Sequence, residues 1–355
     1  MRLALTQPRH RVFKPAHFAI FACFMAILST TSRAAASKGP DVFTQNQSLG
    51  RGVNVLGYDP IWHSPEKGRF KKRYFKMIRA GGFDTLRVNL FPFRHMGPAP
   101  DFTLSNSWWQ TAEWIVTNAL AANLNVILDF HEYEVLGKDP EGHKAAFLAF
   151  WRQMAPHYRN APDKAMFEIL NEPNKELTPE LWNQYLAEAL AIIRESNPTR
   201  TVLVGPAFYN SVDHLKELKL PKKDHHLIVT VHYYKPMDFT HQGAAWVHQE
   251  TKLGVVWQGT PGERAAIDTD FKNVQLWAKQ HQRPIFLGEF GAYDKGDIAS
   301  RVRWTEYVAR AAERRGWSWA YWQFDSDFVV YDIPQEQWVG PIHKALIPPA
   351  GVKTP

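Results

Sequence analysis

The 355-residue chain has one cysteine, Cys23, and it falls within the first 36 residues, so neither a disulfide framework nor a cysteine-ligated metal site is expected in the rest. No GxGxxG or GxxxxGK[ST] follows an apolar run, which removes the fingerprints of dinucleotide and nucleotide phosphate binding. The histidines are not arranged as HxH or HExxH, and no GxSxG follows a strand-like run, which argues against zinc and serine hydrolases. Internal repeats, low-complexity tracts and long linkers are also missing. No apolar run reaches the roughly 20 residues of a stable membrane span. Finally, there is little excess charge. The formal net charge is +7, but five of the 42 basic residues (Arg2, Arg9, Arg11, Lys14 and Arg33) lie in an acid-free leader. The remainder carries 37 basic against 35 acidic residues, +2 net, which gives no reason to expect a nucleic-acid partner.

What is present begins with that leader. Basic residues precede the apolar run His17 to Leu28, and small residues ending in Ala34, Ala35 and Ala36 follow it, the order of a secretory signal cleaved after Ala36. Residues 1–36 are therefore expected to be a signal peptide and residues 37–48 a flexible mature N-terminus. The mature protein is expected in the periplasm or the medium, as a monomer with no membrane anchor.

From Arg51 onward eight short apolar runs alternate with amphipathic stretches: RGVNVLG (51–57), TLRVNL (85–90), NVILDFHE (125–132), MFEILNE (166–172), TVLVGPA (201–207), LIVTVHYY (227–234), PIFLGEFG (284–291) and SWAYWQFD (318–325). They lack strict alternation, which suits strands buried on both faces. Helical spacing marks 70–80, 107–122, 144–158, 179–196, 267–281 and 298–315; Thr178 and Pro179 supply an N-cap and a first-turn proline. Strand-helix alternation repeated eight times predicts an α/β fold, an eight-stranded parallel β/α (TIM) barrel spanning 49–350 as a single catalytic domain. The segment 235–264 is too long for an ordinary connection and reads as a functional loop.

In such a barrel the C-terminal strand ends converge on one open face. Glu172 follows the fourth run and Glu289 ends the seventh. Arg87, His131, His232, Tyr234 and Trp322 occupy equivalent positions on the second, third, sixth and eighth. Two carboxylates in one cleft, among an arginine, histidines and aromatics, suit glycosidic bond cleavage: one stays protonated to assist the leaving oxygen, the other stays ionised to attack. Blander readings stand beside this one. Glu172 could be a helix-start carboxylate, Arg87 could pair with Asp84 or another acid, and the histidines could bind metal. Trp62, Trp246 and Trp257 fall in loops expected on the cleft side, where flat rings stack on sugars.

The ordered set TLRVNL, LDFHEY, FEILNEPN, VTVHYYKP, FLGEFGAY and AYWQF resembles glycoside hydrolase family 5, and the segment FTHQGAAW (239–246) resembles its bacterial endoglucanase branch. The resemblance implies a retaining endo-acting β-1,4-glucanase with no cofactor and no metal, acting on a polysaccharide. In it Glu172 is the acid/base and Glu289 the nucleophile, Asn171 holds the sugar 2-hydroxyl, and Arg87 and Tyr234 bond Glu289. His131 and His232 line the cleft and Trp322 stacks beneath the reacting sugar, while His241, Trp246, Trp62 and Glu132 are expected as further substrate contacts. Glu132 and the loop GYDPIWHSP (57–65) depart from the branch pattern, so β-mannan and mixed-linkage β-glucan stay open as substrates. A barrel that binds carbohydrate without cleaving it is the alternative from another class.

Overall fold

Each of the eight apolar runs forms a strand: β1 (Arg51–Val55), β2 (Thr85–Leu90), β3 (Asn125–Phe130), β4 (Ala165–Glu168), β5 (Val202–Val204), β6 (Leu227–Tyr233), β7 (Ile285–Phe290) and β8 (Ser318–Tyr321). They pair in parallel in chain order, and β8 returns to β1 to close a barrel. The computed structural model describes residue 39 and residues 41–247 and 252–349; the signal peptide expected over 1–36 lies outside them. Every residue of β2 to β8 is buried, one side by the barrel interior and the other by the surrounding helices, which is why the runs show no alternation. The architecture is the TIM barrel the pattern predicts.

Local chemistry sets the helix starts. Thr178 caps the helix Pro179–Ser196 by accepting from the Leu181 N–H. The helix expected from Ile267 starts earlier, at Pro261, because Thr260 and Glu263 form a capping box in which each side chain takes the other's backbone N–H. The long connection ahead of it is thereby shortened. Part of it folds around Gln242, whose amide donates to the carbonyls of Phe239 and Val255 while its oxygen accepts from Gly254 and Val255.

Two expectations fail in this frame. Residues 42–48, assigned above to a flexible segment, belong to the helix Val42–Leu49, capped by Asp41. Val42 and Leu49 join Ile127, Met166, Leu203, Ile228, Phe286 and Ala320 in an apolar cluster that fills the lower barrel. Ser48 and Leu49 present their carbonyls to Asn125 and Thr85, at the first residues of β3 and β2, so this helix stoppers the N-terminal end of the barrel. Trp257, expected on the cleft side, is 1% exposed, and its backbone is pinned by Ser300 and Arg303 from the helix Ile298–Glu313.

Candidate active site

Above the apolar stopper the barrel interior turns polar. Register sets Asn54 beside Arg87, Asn89 beside Asp129 and Asp129 beside Glu168, so three adjacent strands contribute charged groups to one buried layer. Arg87 is 0% exposed and all five of its N–H donors find acceptors. Nε and Nη2 bond the two oxygens of Glu168, each at 2.7 Å, and Nη2 also donates to Asn171 Oδ1 at 2.8 Å. Nη1 donates to Asn54 Oδ1 at 2.8 Å and to Glu289 Oε1 at 2.7 Å. Asp129 lies 3.2 Å from Nη2 and 2.5 Å from His131 Nδ1. The pairing of Arg87 with Asp84 raised above is not what forms: Asp84 pairs with Arg79.

Two backbone irregularities deliver the carboxyls. After β4 the chain turns through Glu172 at φ 44°, a left-handed conformation unusual for a side-chain-bearing residue, and Asn174 Nδ2 holds the Glu172 carbonyl at 2.6 Å. Between β6 and β7 the register slips: Val231 pairs with Leu287, but His232 pairs with Glu289, so Gly288 is bulged out of the ladder. A Cβ on Gly288 would lie 2.3 Å from Thr230 Oγ1, which explains the glycine. The slip sets Glu289 Oε2 3.6 Å from His232 Nδ1, which is itself 2.7 Å from Glu172 Oε1. Tyr234 donates its hydroxyl to Glu289 Oε2 at 2.9 Å.

The electrostatics divide the pair. Burial, then the charge of Glu289, push the Glu172 carboxyl well above the ordinary range, with Arg87 pulling the other way. Burial also raises Glu289, but Arg87, His131 and the Tyr234 hydroxyl oppose it directly. Burial and the charges of Arg87 and His131 depress the His232 imidazole well below its usual value, so it stands neutral between the two acids.

The predicted aromatics scatter. Trp322 is 6% exposed and lies parallel to His131, with ring centroids 5.6 Å apart and 6° between planes. Tyr58 meets Trp322 edge-on at 6.1 Å and Tyr133 meets His131 edge-on at 5.3 Å. Trp246 is open, packed edge-on against Tyr293. His241 is buried behind Tyr234, 4.9 Å between centroids, with Nδ1 2.9 Å from Thr240 Oγ1; it buttresses that tyrosine. Trp62 is a correction. It is 4% exposed and stacked on Trp108 at 5.9 Å, because its loop folds back onto the helix Asn106–Ala121. Glu132 is buried, and its Oε1 accepts from the Phe93 N–H at 2.9 Å, which ties two loops together.

Sequence reasoning passed over Glu168, Asp129, Asn54, Tyr58 and Tyr133. The first two carried a signal, an acid inside an otherwise apolar strand, which must face a polar interior if the strand is buried. Glu172, His232 and Glu289 each offer one ligand atom within 4.8 Å of the others, a spacing a cation could use. Arg87 beside Glu289 and the burial that raises the Glu172 carboxyl both oppose a positive ion there, whereas they favour acid–base chemistry.

Comparison with known proteins bears on this geometry. Residues 46–327 match the family model described as Cellulase (glycosyl hydrolase family 5). Endoglucanase H of Acetivibrio thermocellus is 28% identical over 334 residues, covering 90% of this chain and 35% of that protein. The chain thus spans about a third of that relative, as it does of the Cellulase/esterase CelE of the same organism, of which it covers 33%. Thermotoga maritima Cel5A, solved in complex with mannotriose, superposes with a TM-score of 0.83 at 39% identity, covering 86% of this chain and 100% of that one. The same protein solved in complex with cellobiose gives 0.82 at 40% identity, with the same coverage.

Proposed function

Because the chain belongs to glycosyl hydrolase family 5, we propose that it cleaves β-1,4-glucan chains internally, with retention of anomeric configuration, by double displacement between Glu172 and Glu289. One distance carries the reading: a carboxylate oxygen of Glu172 and one of Glu289 lie within 4.8 Å of each other. Retaining enzymes hold their carboxyls about 5–5.5 Å apart, whereas inverting enzymes need roughly 6.5–9.5 Å to admit a water.

The residues then take defined parts. Glu289, ionised beside Arg87 and Tyr234, attacks the anomeric carbon while Glu172 protonates the leaving oxygen. Esterification cancels the charge on Glu289, so the Glu172 carboxyl loses the neighbour that raised it and can deprotonate the incoming water. Asn171 accepts from Arg87 through Oδ1, which aims its amide group outward as a donor for the sugar 2-hydroxyl. The neutral His232, 2.7 Å from Glu172 Oε1 through Nδ1, orients that carboxyl; Trp322 offers a face to the sugar ring.

Cel5A solved with mannotriose as well as cellobiose favours a second reading, the same mechanism on β-mannan. A barrel that binds without cleaving is disfavoured by the presence of both carboxyls in hydrogen-bond contact with His232 and Tyr234. With the leader at 1–36, the proposal puts a monomeric, cofactor-free enzyme in the periplasm or the medium. The test is proton NMR of cello-oligosaccharide hydrolysis: β-anomer must form first and mutarotate later. Initial α-anomer refutes double displacement, and inactivity on cellulose derivatives, mixed-linkage glucan and glucomannan alike refutes the enzyme.

A further inference from the structure

We propose that Glu168 is a positioning residue of this site, which clamps Arg87 in the orientation that serves Glu289 and whose charge sets how readily Glu289 ionises. The proposal rests on the two-glutamate reading above. Both Glu168 oxygens are spent on Arg87 at 2.7 Å, the side chain is 0% exposed, and it has no route to a sugar. A bidentate clamp on Nε and Nη2 fixes the guanidinium plane, and that plane fixes where Nη1 points: at Glu289 Oε1. Asn54, Asn171 and Glu289 take the donors the clamp leaves, so a neutral amide of the same shape at position 168 keeps Arg87 on the nucleophile and removes only the negative charge.

The charge balance points the same way. Arg87 is one cation facing three carboxyls, Asp129, Glu168 and Glu289. A buried cluster of this sign costs desolvation that a packed apolar pair would not, so its worth lies in the field it makes. That field is negative beneath the place where a sugar cation develops. It also shares the pull of Arg87 among three acids, leaving Glu289 more basic than a private arginine would. The groups facing Glu289 are Arg87 from β2, Asp129 from β3 and His131 just after it, Glu168 from β4 and Glu172 from the turn after it, His232 from β6 and Tyr234 just after it, and Tyr58 and Tyr133 from the loops. Burial raises the Glu168 carboxyl and the paired Arg87 guanidinium opposes it, so the charge on Glu168 rests on that clamp.

The variant Glu168→Gln keeps the shape and removes the charge. The acid limb of its pH profile for kcat/KM should move to lower pH by about one unit, since one anion fewer surrounds Glu289. At the wild-type optimum kcat should fall on the order of tenfold, with KM nearly unchanged. Glu168→Asp keeps the charge but not the reach: its acid limb should stay while kcat falls. The readout independent of turnover is the carboxyl carbon-13 resonance of Glu289, titrated in glutamate-labelled protein. A Gln variant that loses activity or stability with limb and titration unmoved overturns the proposal, leaving Glu168 a structural clamp. Should the Gln variant not fold, the Asp variant decides: kcat lowered at unchanged stability with the Glu289 titration unmoved supports the proposal, and wild-type kcat or a titration shifted by a unit or more refutes it. Wild-type inactivity on every β-glycan refutes the functional reading, and the titration still tests what Glu168 does to Glu289.

Discussion

Replacing Gly288 with alanine should disable the site without touching a single side chain assigned to the chemistry. The added Cβ would lie 2.3 Å from Thr230 Oγ1 and 3.2 Å from His232 Nε2. An ordinary carbon–oxygen contact needs roughly 1 Å more than the first of these. Thr230 lies within β6 and is 0% exposed, so it has nowhere to withdraw. Either β7 lifts away from β6 or His232 rotates, and both change the 3.6 Å approach of His232 to Glu289. Overpacking of this kind costs about 1–3 kcal/mol, and a displacement of about 1 Å at reacting groups costs on the order of 10²-fold in rate. The assay is kcat on a soluble β-glucan alongside thermal unfolding, with Gly262→Ala as control. Gly262 sits in the first turn of the helix Pro261–His281 with nothing within 4 Å of its added Cβ, so alanine there should leave kcat alone and stabilise by up to about 1 kcal/mol. Wild-type kcat and unfolding temperature in Gly288→Ala would refute the claim that the bulge places Glu289.

Other variants separate the remaining roles. Tyr234→Phe removes an O–H donor from the ionised form of Glu289, so the Glu289 carboxyl should titrate higher and the acid limb of kcat/KM should move up in pH, with kcat down by about 10–10²-fold; an unmoved limb contradicts the assignment. Glu172→Gln should slow hydrolysis of cello-oligosaccharides by about 10²–10⁴-fold while sparing aryl cellobiosides whose leaving group needs no proton, and equal loss on both substrates would count against an acid/base role. Trp62→Ala should cost about 3–5 kcal/mol in urea unfolding with KM unchanged, because the ring is a core residue stacked on Trp108; a raised KM at full stability would return Trp62 to the cleft.

The outline of the barrel was legible because its signals are local. Eight apolar runs alternate with amphipathic stretches, and Thr178-Pro179 announces a helix start through a hydrogen bond made within one turn, whereas the equivalent Thr260-Pro261 signal was passed over. Glu172 and Glu289 stood out for a similar reason: a charge at the end of an apolar run is costly unless used. The loop tryptophans were not legible. Trp62 and Trp257 read like Trp246, and what separates them is whether a distant helix comes to cover the ring, which happens for two and not for the third.

By itself, then, the chain's order of residues determined the strand-helix rhythm, the closure it implies and the pair of acids at the open face. Tertiary structure decided which acids touch Arg87. An acid inside an apolar strand marks Asp129 and Glu168 as facing a polar interior, but nothing along β3 or β4 says which cation they meet; only the register across β2, β3 and β4 turns them onto one guanidinium. The one-residue slip at Gly288 belongs to the same class. Periodicity is a property of neighbours in sequence, whereas register is settled between strands dozens of residues apart, where the closing barrel must bury its charges against each other.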